Sequence, residues 1–213
     1  MNILDTIVAG KKKEVERRRL DKGLDELMLA SLFEHEPLSL RTFLEDKSRT
    51  GIIAEFKRKS PSKGIINGTA DMLDVTGAYA KYGASCISVL TDEIFFGGHV
   101  NDLVKARINA VPLLRKDFII DEYQVVESKA LGADVILLIA ACLTPMQVKQ
   151  FAVKARQLKM DVLLEIHNED ELGHICDETE FIGVNNRDLK TFTVDLDRSI
   201  ELTPWPLRNF GVL

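Results

Sequence analysis

Residues 52–64 read Ile52-Ile53-Ala54-Glu55-Phe56-Lys57-Arg58-Lys59-Ser60-Pro61-Ser62-Lys63-Gly64, an apolar run that passes straight into cations, a carboxylate and small residues. Ile52, Ile53 and Phe56 suit a strand buried on both faces of a parallel sheet. Glu55 and Lys57 stand two residues apart, so in an extended chain they project from one side. An acid and an ammonium at the exit of a buried strand are what a β/α barrel enzyme places at its mouth. The alternative is a surface strand ending in a solvated loop.

Outward from this run, short apolar segments rich in β-branched residues recur at 86–90, 111–114, 135–140, 162–166 and 181–184. Helical patterns fill the gaps at 71–82, 100–108, 121–131, 145–159 and 169–176, several opening on a capping residue such as Asp71, Asp121 or Thr144. Six β-α units of this kind mean a parallel sheet covered on both faces. A doubly wound sheet would gather its polar residues at one switch point, with an early glycine-rich phosphate turn. No such turn is present, and almost every strand ends in polar groups: Glu55 and Lys57, Thr91 and Asp92, Lys116 and Asp117, Glu165 and His167, Asn185 and Asn186. That distribution predicts a (β/α)8 TIM barrel over residues 49–213.

Residues 1–48 form a separate element, an N-terminal helical extension. Ile3, Leu4, Ile7, Val8, Val15 and Leu20 recur at helical spacing, with Lys11, Lys12, Lys13, Arg17, Arg18 and Arg19 mostly elsewhere on the wheel. Glu14 and Glu16 interrupt the basic run, so the charged face is expected to be solvated while the apolar face packs on the barrel. A second short helical pattern, 38–44, leads into the first strand.

Composition narrows the class. The chain has 213 residues, 46% hydrophobic and 29% charged, with a net charge of -5. An acidic balance argues against a nucleic-acid surface and favours a small anionic ligand held by local cations. Cys86, Cys142 and Cys176 are odd in number and form no Cys-x-x-Cys pair, as expected of reduced thiols in a cytoplasmic protein. His167, His174 and Cys176 lack a matching second set of ligands, so no metal site is expected. The longest apolar run, 135–143, is too short for a membrane span, and no signal peptide opens the chain. A soluble monomer or weak oligomer, binding neither nucleic acid nor membrane, is the expectation.

Four motifs taken together resemble indole-3-glycerol-phosphate synthase: residues 53–64, then Leu114-Arg115-Lys116-Asp117-Phe118-Ile119, Leu163-Leu164-Glu165-Ile166-His167 and Ile182-Gly183-Val184-Asn185-Asn186-Arg187-Asp188-Leu189. Asn2-Ile3-Leu4-Asp5-Thr6-Ile7-Val8 is similar to the extra N-terminal helix of that family. The resemblance implies a lyase of tryptophan biosynthesis that closes 1-(2-carboxyphenylamino)-1-deoxyribulose 5-phosphate to an indole with loss of carbon dioxide and water. It implies no cofactor or metal. An inactive fragment of this family, or another ribulose-phosphate barrel such as phosphoribosylanthranilate isomerase, is the alternative; the Glu55-Lys57, Lys116 and Glu165 set argues against the isomerase.

Ring closure requires a proton to reach the ketone oxygen as an aromatic carbon attacks. Lys116, in a partly dry mouth, is the natural acid, with a pKa expected to be lowered by burial; the competing reading is a structural ion pair with Asp117 or a neighbouring carboxylate. The resemblance places Lys57 beside the substrate carboxylate, makes Glu165 the principal base and makes Glu55 the group that orients Lys57. Asn185 can bind a substrate hydroxyl. Arg187 either grips a carboxylate or pairs with Asp188 or Glu165. Ser60 and Phe118 complete the family pattern as a polar contact near the anionic end and an apolar bed for the ring, and Phe96 or Phe95 extends that bed. Residues 210–213 resemble the opening of a seventh strand, beyond which the family places a further strand and much of its phosphate site; without these, the barrel is expected to remain open.

Overall fold

The structure, a computed structural model, describes residues 3–187, Asp195, Asp197 and Gly211–Val212. Three helices, α1 (Ile3–Asp21), α2 (Leu24–Met28) and α3 (Leu40–Glu45), precede the first strand. Strands β1 (Ile53–Phe56), β2 (Cys86–Leu90), β3 (Leu113–Lys116), β4 (Val135–Ile139), β5 (Asp161–Ile166), β6 (Phe181–Val184) and β7 (Gly211–Val212) then form one sheet in chain order. All six pairings are parallel. Parallel neighbours need crossovers, supplied by α4 (Met72–Lys81), α5 (Glu93–Phe96), α6 (Val100–Ala106), α7 (Glu122–Ala130), α8 (Pro145–Gln157) and a 3-10 turn at Glu169–His174. This is the strand order of a β/α barrel, with β1 and β7 at the two edges among the described residues. None of the described helices is long and apolar enough to cross a membrane.

Strand parity divides the core. Ile87, Val89, Ile136, Leu138, Val162 and Leu164 pack outward with Leu103, Val125, Val148 and Phe151 of the helices. Cys86, Leu114, Val135, Leu137, Ile139, Leu163 and Phe181 pack inward, joined by Leu4 and Ile7 of α1 and Leu40 of α3. Each such buried side chain contributes about 1.5–3 kcal/mol. Helix α3 closes the amino end: Ser39 caps it, the Leu40 amide donates to Asp161 Oδ2 at 2.7 Å, and Arg41 lies over the Phe181 ring at 5.3 Å. Helix α1 lies at the opposite end, where the strands exit.

Several expectations need correction. Ile52 is 58% exposed, because the ladder begins only at Ile53. The third strand begins at Leu113 and runs through Lys116, two residues later than its apolar run suggests, since Pro112 has no N–H to donate and Arg115 is accommodated inside the fold. Residues 169–174 form a 3-10 turn where an α-helix through 176 is expected. Leu20 is 88% exposed near the outward end of α1. Residues 211–212 do pair with β6 as a seventh strand, while Asn2, Asp188, Leu189, Phe210 and Leu213 lie outside the described residues.

Burial and the neighbouring Glu180 carboxylate push the Asp161 carboxyl up to about 6, against the opposing pull of the Leu40 amide. A carboxyl raised in the fold stabilises it fully below its ordinary value of 3.8, and that contribution is lost as pH rises through 6. Asp161→Asn, uncharged throughout and still able to accept from Leu40, is therefore expected to gain on the parent between pH 4 and 8. After discounting for solvent the gain is on the order of 1 kcal/mol, readable as a difference in thermal midpoint that widens with pH.

Candidate active site

The inward parity that carries Ile53, Leu114, Leu163 and Phe181 carries Glu55, Lys116, Glu165 and Asn185 to the strand exits. They line a cavity of 170 Å³ with Lys57, Leu90, Asp92, Phe96, Asp117, Phe118, Leu137 and Ile139. Two lysine–glutamate pairs face each other across it. Lys57 Nζ donates to Glu55 Oε1 at 2.5 Å, and Lys116 Nζ donates to Glu165 Oε2 at 3.0 Å. Asn185 Nδ2 donates to the other oxygen of Glu165 at 2.9 Å. Phe96 and Phe118 form an apolar wall, their centroids 6.0 Å apart and their planes inclined at 38°.

The electrostatics reverse one expectation. Burial by itself lowers the Lys116 pKa, yet the charges of Glu165 and Glu55 outweigh it and leave the ammonium above its ordinary value of 10.5. The same pairing outweighs the burial of Glu165 and, with the Asn185 bond, holds its carboxyl below 4.5. Proton-donating cation and proton-accepting anion are thus both present in their charged forms. Asp117 is no partner of Lys116, despite adjacency in sequence.

Beside this cavity lies a second one of 200 Å³, lined by Lys57, Ser60, Pro61, Ser62, Lys63, Ile66, Phe96 and Arg187. A two-stranded hairpin, Lys59–Ser60 against Gly64–Ile65, turns the chain here, and Ser60 Oγ accepts the Lys63 amide at 3.2 Å. Of the cations in 57–63, Arg58 turns away to Asp102 at 2.5 Å and Lys59 donates to the Ile94 carbonyl at 2.7 Å, which leaves Lys57 and Lys63 around the cavity, joined there by Arg187. Phe96 reaches both cavities because the chain after α5 folds back tightly. At Gly98 a Cβ would stand 2.1 Å from the Leu90 carbonyl oxygen, so that position admits only glycine.

Lys11 departs furthest from the sequence reading, which put it on a solvated helix face. It is 2% exposed, its ammonium 2.8 Å from Asp117, 2.9 Å from Asp92 and 2.9 Å from Glu14. Asp117 continues to the fully buried Arg115, which also donates to Thr91, Ser128 and Glu127, and Arg18 closes the circuit between Glu127 and Glu14. Burial alone would lower Lys11 and raise Asp117. Their mutual attraction, with Asp92, Glu14 and Arg115, overrides it, raising the lysine and holding Asp117 down at about 2. The sequence signal for this residue was the i, i+4, i+8 set Ile7, Lys11, Val15, in which a lysine occupies an apolar stripe. His174 is likewise structural, its ring bridging the carbonyls of Glu171 and Leu143, and among the described residues no His, Cys, Asp and Glu side chains cluster as a metal site.

Residues 4–211 match the family model described as indole-3-glycerol phosphate synthase. Curated relatives of that name include one from Bacteroides thetaiotaomicron, 43% identical over 202 residues (94% of this chain, 77% of the relative). Others are from Bordetella pertussis, 40% identical over 208 residues (95% and 79%), and Salinibacter ruber, 41% identical over 206 (95% and 76%). Among solved structures, 3-keto-L-gulonate-6-phosphate decarboxylase of Vibrio cholerae aligns with a TM-score of 0.55 at 13% identity, covering 76% of this chain and 75% of that one, a likeness of fold alone.

Removing the Lys11 cation strands the buried Asp92 carboxylate and leaves Asp117 and Glu14 each one cation short. Lys11→Met is expected to lower unfolding free energy by about 3–5 kcal/mol, measured in urea at pH 7. In the parent the Asp117 contribution is complete above its ordinary 3.8 and is lost as pH falls through 2, so the gap between parent and variant should narrow only in strong acid.

Proposed function

The chain belongs to the indole-3-glycerol phosphate synthase family, and on that premise we propose how the residues at its mouth divide the work. It is a lyase of tryptophan biosynthesis that takes a phosphorylated small molecule, 1-(2-carboxyphenylamino)-1-deoxyribulose 5-phosphate, to indole-3-glycerol phosphate with loss of carbon dioxide and water. The convergence of Lys116 and Asn185 on the single carboxylate of Glu165 carries the assignment that follows.

Lys116 acts as the general acid. Its ammonium donates to the ketone oxygen as the aromatic carbon attacks and negative charge develops there. Lys57, held by Glu55, lies against the substrate carboxylate until carbon dioxide departs. That loss restores the aromatic ring; Glu165 then removes a proton from the carbon beside the nitrogen, the freed electron pair forms the C=C bond of the new ring, and the hydroxyl on the adjacent carbon leaves as water with a proton from Lys57. Asn185 spans Glu165 and a substrate hydroxyl, since its amide both donates and accepts. The anthranilate ring rests against Phe118 and Phe96, whose tilted pair leaves an apolar face toward the cavity. Ser60 and Arg187, with Lys63, receive an anionic end of the substrate in the second cavity, where a guanidinium and an ammonium face one space.

Residues 1–48 act as a helical extension to the barrel of 49–213, with α1 as the cover of the mouth. Support comes from Lys11, whose partners Asp92 and Asp117 also line the larger cavity. The net charge of -5 favours small anions gripped locally over nucleic acid or a lipid surface, in a cytoplasmic protein that is a monomer or weak oligomer.

Turnover is followed directly by indole fluorescence. Lys116→Ala and Glu165→Gln are each expected to lower kcat by roughly 10²- to 10⁴-fold. Undiminished turnover in Lys116→Ala removes it as the acid. Because Glu165 and Glu55 keep Lys116 charged, loss of activity at high pH should begin above 10.5, and loss at low pH below the ordinary glutamate value of 4.5. A basic limb near neutrality contradicts that ordering.

A further inference from the structure

Glu165 is approached by donors on both oxygens: Lys116 on Oε2, and Asn185 Nδ2 on Oε1. One further group faces Oε1. His167, two residues on and of the same inward parity, turns its Nε2 toward it at 3.6 Å. This histidine is 5% exposed, and its Nε2 is a buried polar atom with no hydrogen-bond partner among the described residues. On the other edge of the ring, Nδ1 faces Glu171 Oε2 at 3.2 Å, and that oxygen also accepts the His167 backbone amide at 2.8 Å. A carboxylate only accepts, so Nδ1 carries a hydrogen, which in the neutral ring leaves the lone pair on Nε2. A protonated Glu165 must donate its new O–H, and neither an ammonium nor an amide NH₂ can receive it. The imidazole nitrogen can.

We propose that His167 takes from Glu165 the proton that Glu165 removes from the substrate, with Glu171 holding the ring and balancing the imidazolium. The inference rests on the reading of Glu165 as the base. In the first transfer the C–H bond beside the nitrogen breaks, its electron pair forms the C=C bond of the new ring as the hydroxyl on the adjacent carbon leaves as water with a proton from Lys57, and an O–H bond forms on Glu165. In the second that O–H breaks and the Nε2 lone pair takes the proton, which restores the carboxylate; the imidazolium gives the proton to water after product leaves. The charges around the ring favour this. Facing it are the carboxylates of Glu165 and Glu171 and, across Glu165, the Lys116 ammonium, which itself answers to Glu55. The Cys142 thiol, pushed up to about 12 by burial and by the same two glutamates, stays neutral, and His174 is engaged with the Glu171 and Leu143 carbonyls. Glu171, an anion on the far edge of the ring, stabilises the imidazolium that the second transfer forms. His167 acts through Glu165 and is therefore a positioning and relay residue.

The test uses the whole chain and the indole fluorescence assay. His167→Gln is expected to lower kcat roughly tenfold or more with KM within twofold, and the loss should shrink in acid, where a protonated ring in the parent can take no second proton. In His167→Ala, added imidazole should restore rate in proportion to its neutral form. Glu171→Gln, which leaves the ring in place, should lower kcat severalfold without changing KM. The relay is overturned if His167→Gln keeps kcat within twofold of the parent. It is also overturned if the loss is uniform in pH, parallels the folded fraction by circular dichroism and does not respond to imidazole. Should His167→Gln fail to fold, unchanged kcat in Glu171→Gln overturns the relay equally. Glu165→Gln at full activity is a different result, since it removes the base beneath the relay rather than the relay itself.

Discussion

Side chains along a strand alternate between two faces, and parallel pairing in chain order keeps that alternation in step from one strand to the next. Cys86 stands opposite Ile53, Lys116 opposite Leu90, and Glu165 opposite both Ile139 and Gly183. One parity therefore meets helices and the other meets the barrel interior. Glu55, Lys116, Glu165, His167 and Asn185 share the inner parity with Ile53, Leu114, Leu163 and Phe181. A shift of one residue on β1 or β5 would exchange Glu55 or Glu165 of the mouth for an apolar side chain.

Charge is tolerated inside this fold because it is nearly always answered. The triplet Arg115-Lys116-Asp117 shows how parity sorts three consecutive charges. Arg115 turns outward to α7, Lys116 turns into the cavity toward Glu165, and Asp117, just past the strand, meets Lys11 of α1 and Arg115. The Lys116 backbone is consequently held on both sides by a buried ionic circuit in which its own side chain takes no part. Such circuits add less to stability than their contact distances suggest, because each ion is first stripped of water, but losing one partner is costly. The circuit behind the mouth fixes geometry, whereas the pairs within the mouth are open to exchange when substrate arrives.

The Glu165 environment joins these two regimes. Its ammonium and amide donors favour the anion that a base must be at rest, while among the described residues His167 offers a nitrogen that can face the protonated state. Burial alone would have made Glu165 a weak acid and Lys116 a neutral amine, and it is their proximity that inverts both tendencies. The lowered lysine expected from burial does not occur, because the Glu165 carboxylate reaches the ammonium from a strand two places away.

Local pattern determined much of this protein. The apolar runs and capping residues located the strands and most helices to within about two residues, because β-branched strings and Asp or Thr caps act over a few neighbours. The polar strand ends identified Glu55, Lys57, Lys116, Glu165 and Asn185, since parity is a property of the chain itself. Only the tertiary structure decided which charges meet. Lys11 reads as one more cation of a basic helix, Arg58 as one more member of a cationic cluster, and His167 as a stray histidine near a cysteine. The partners of Lys11 and Arg58 lie 81 and 44 residues away in sequence, where no spacing announces them, and of the His167 partners strand parity announces only Glu165. Ion pairing depends on three-dimensional distance and on the water removed around it, both of which exist only once the helices have closed over the strand ends.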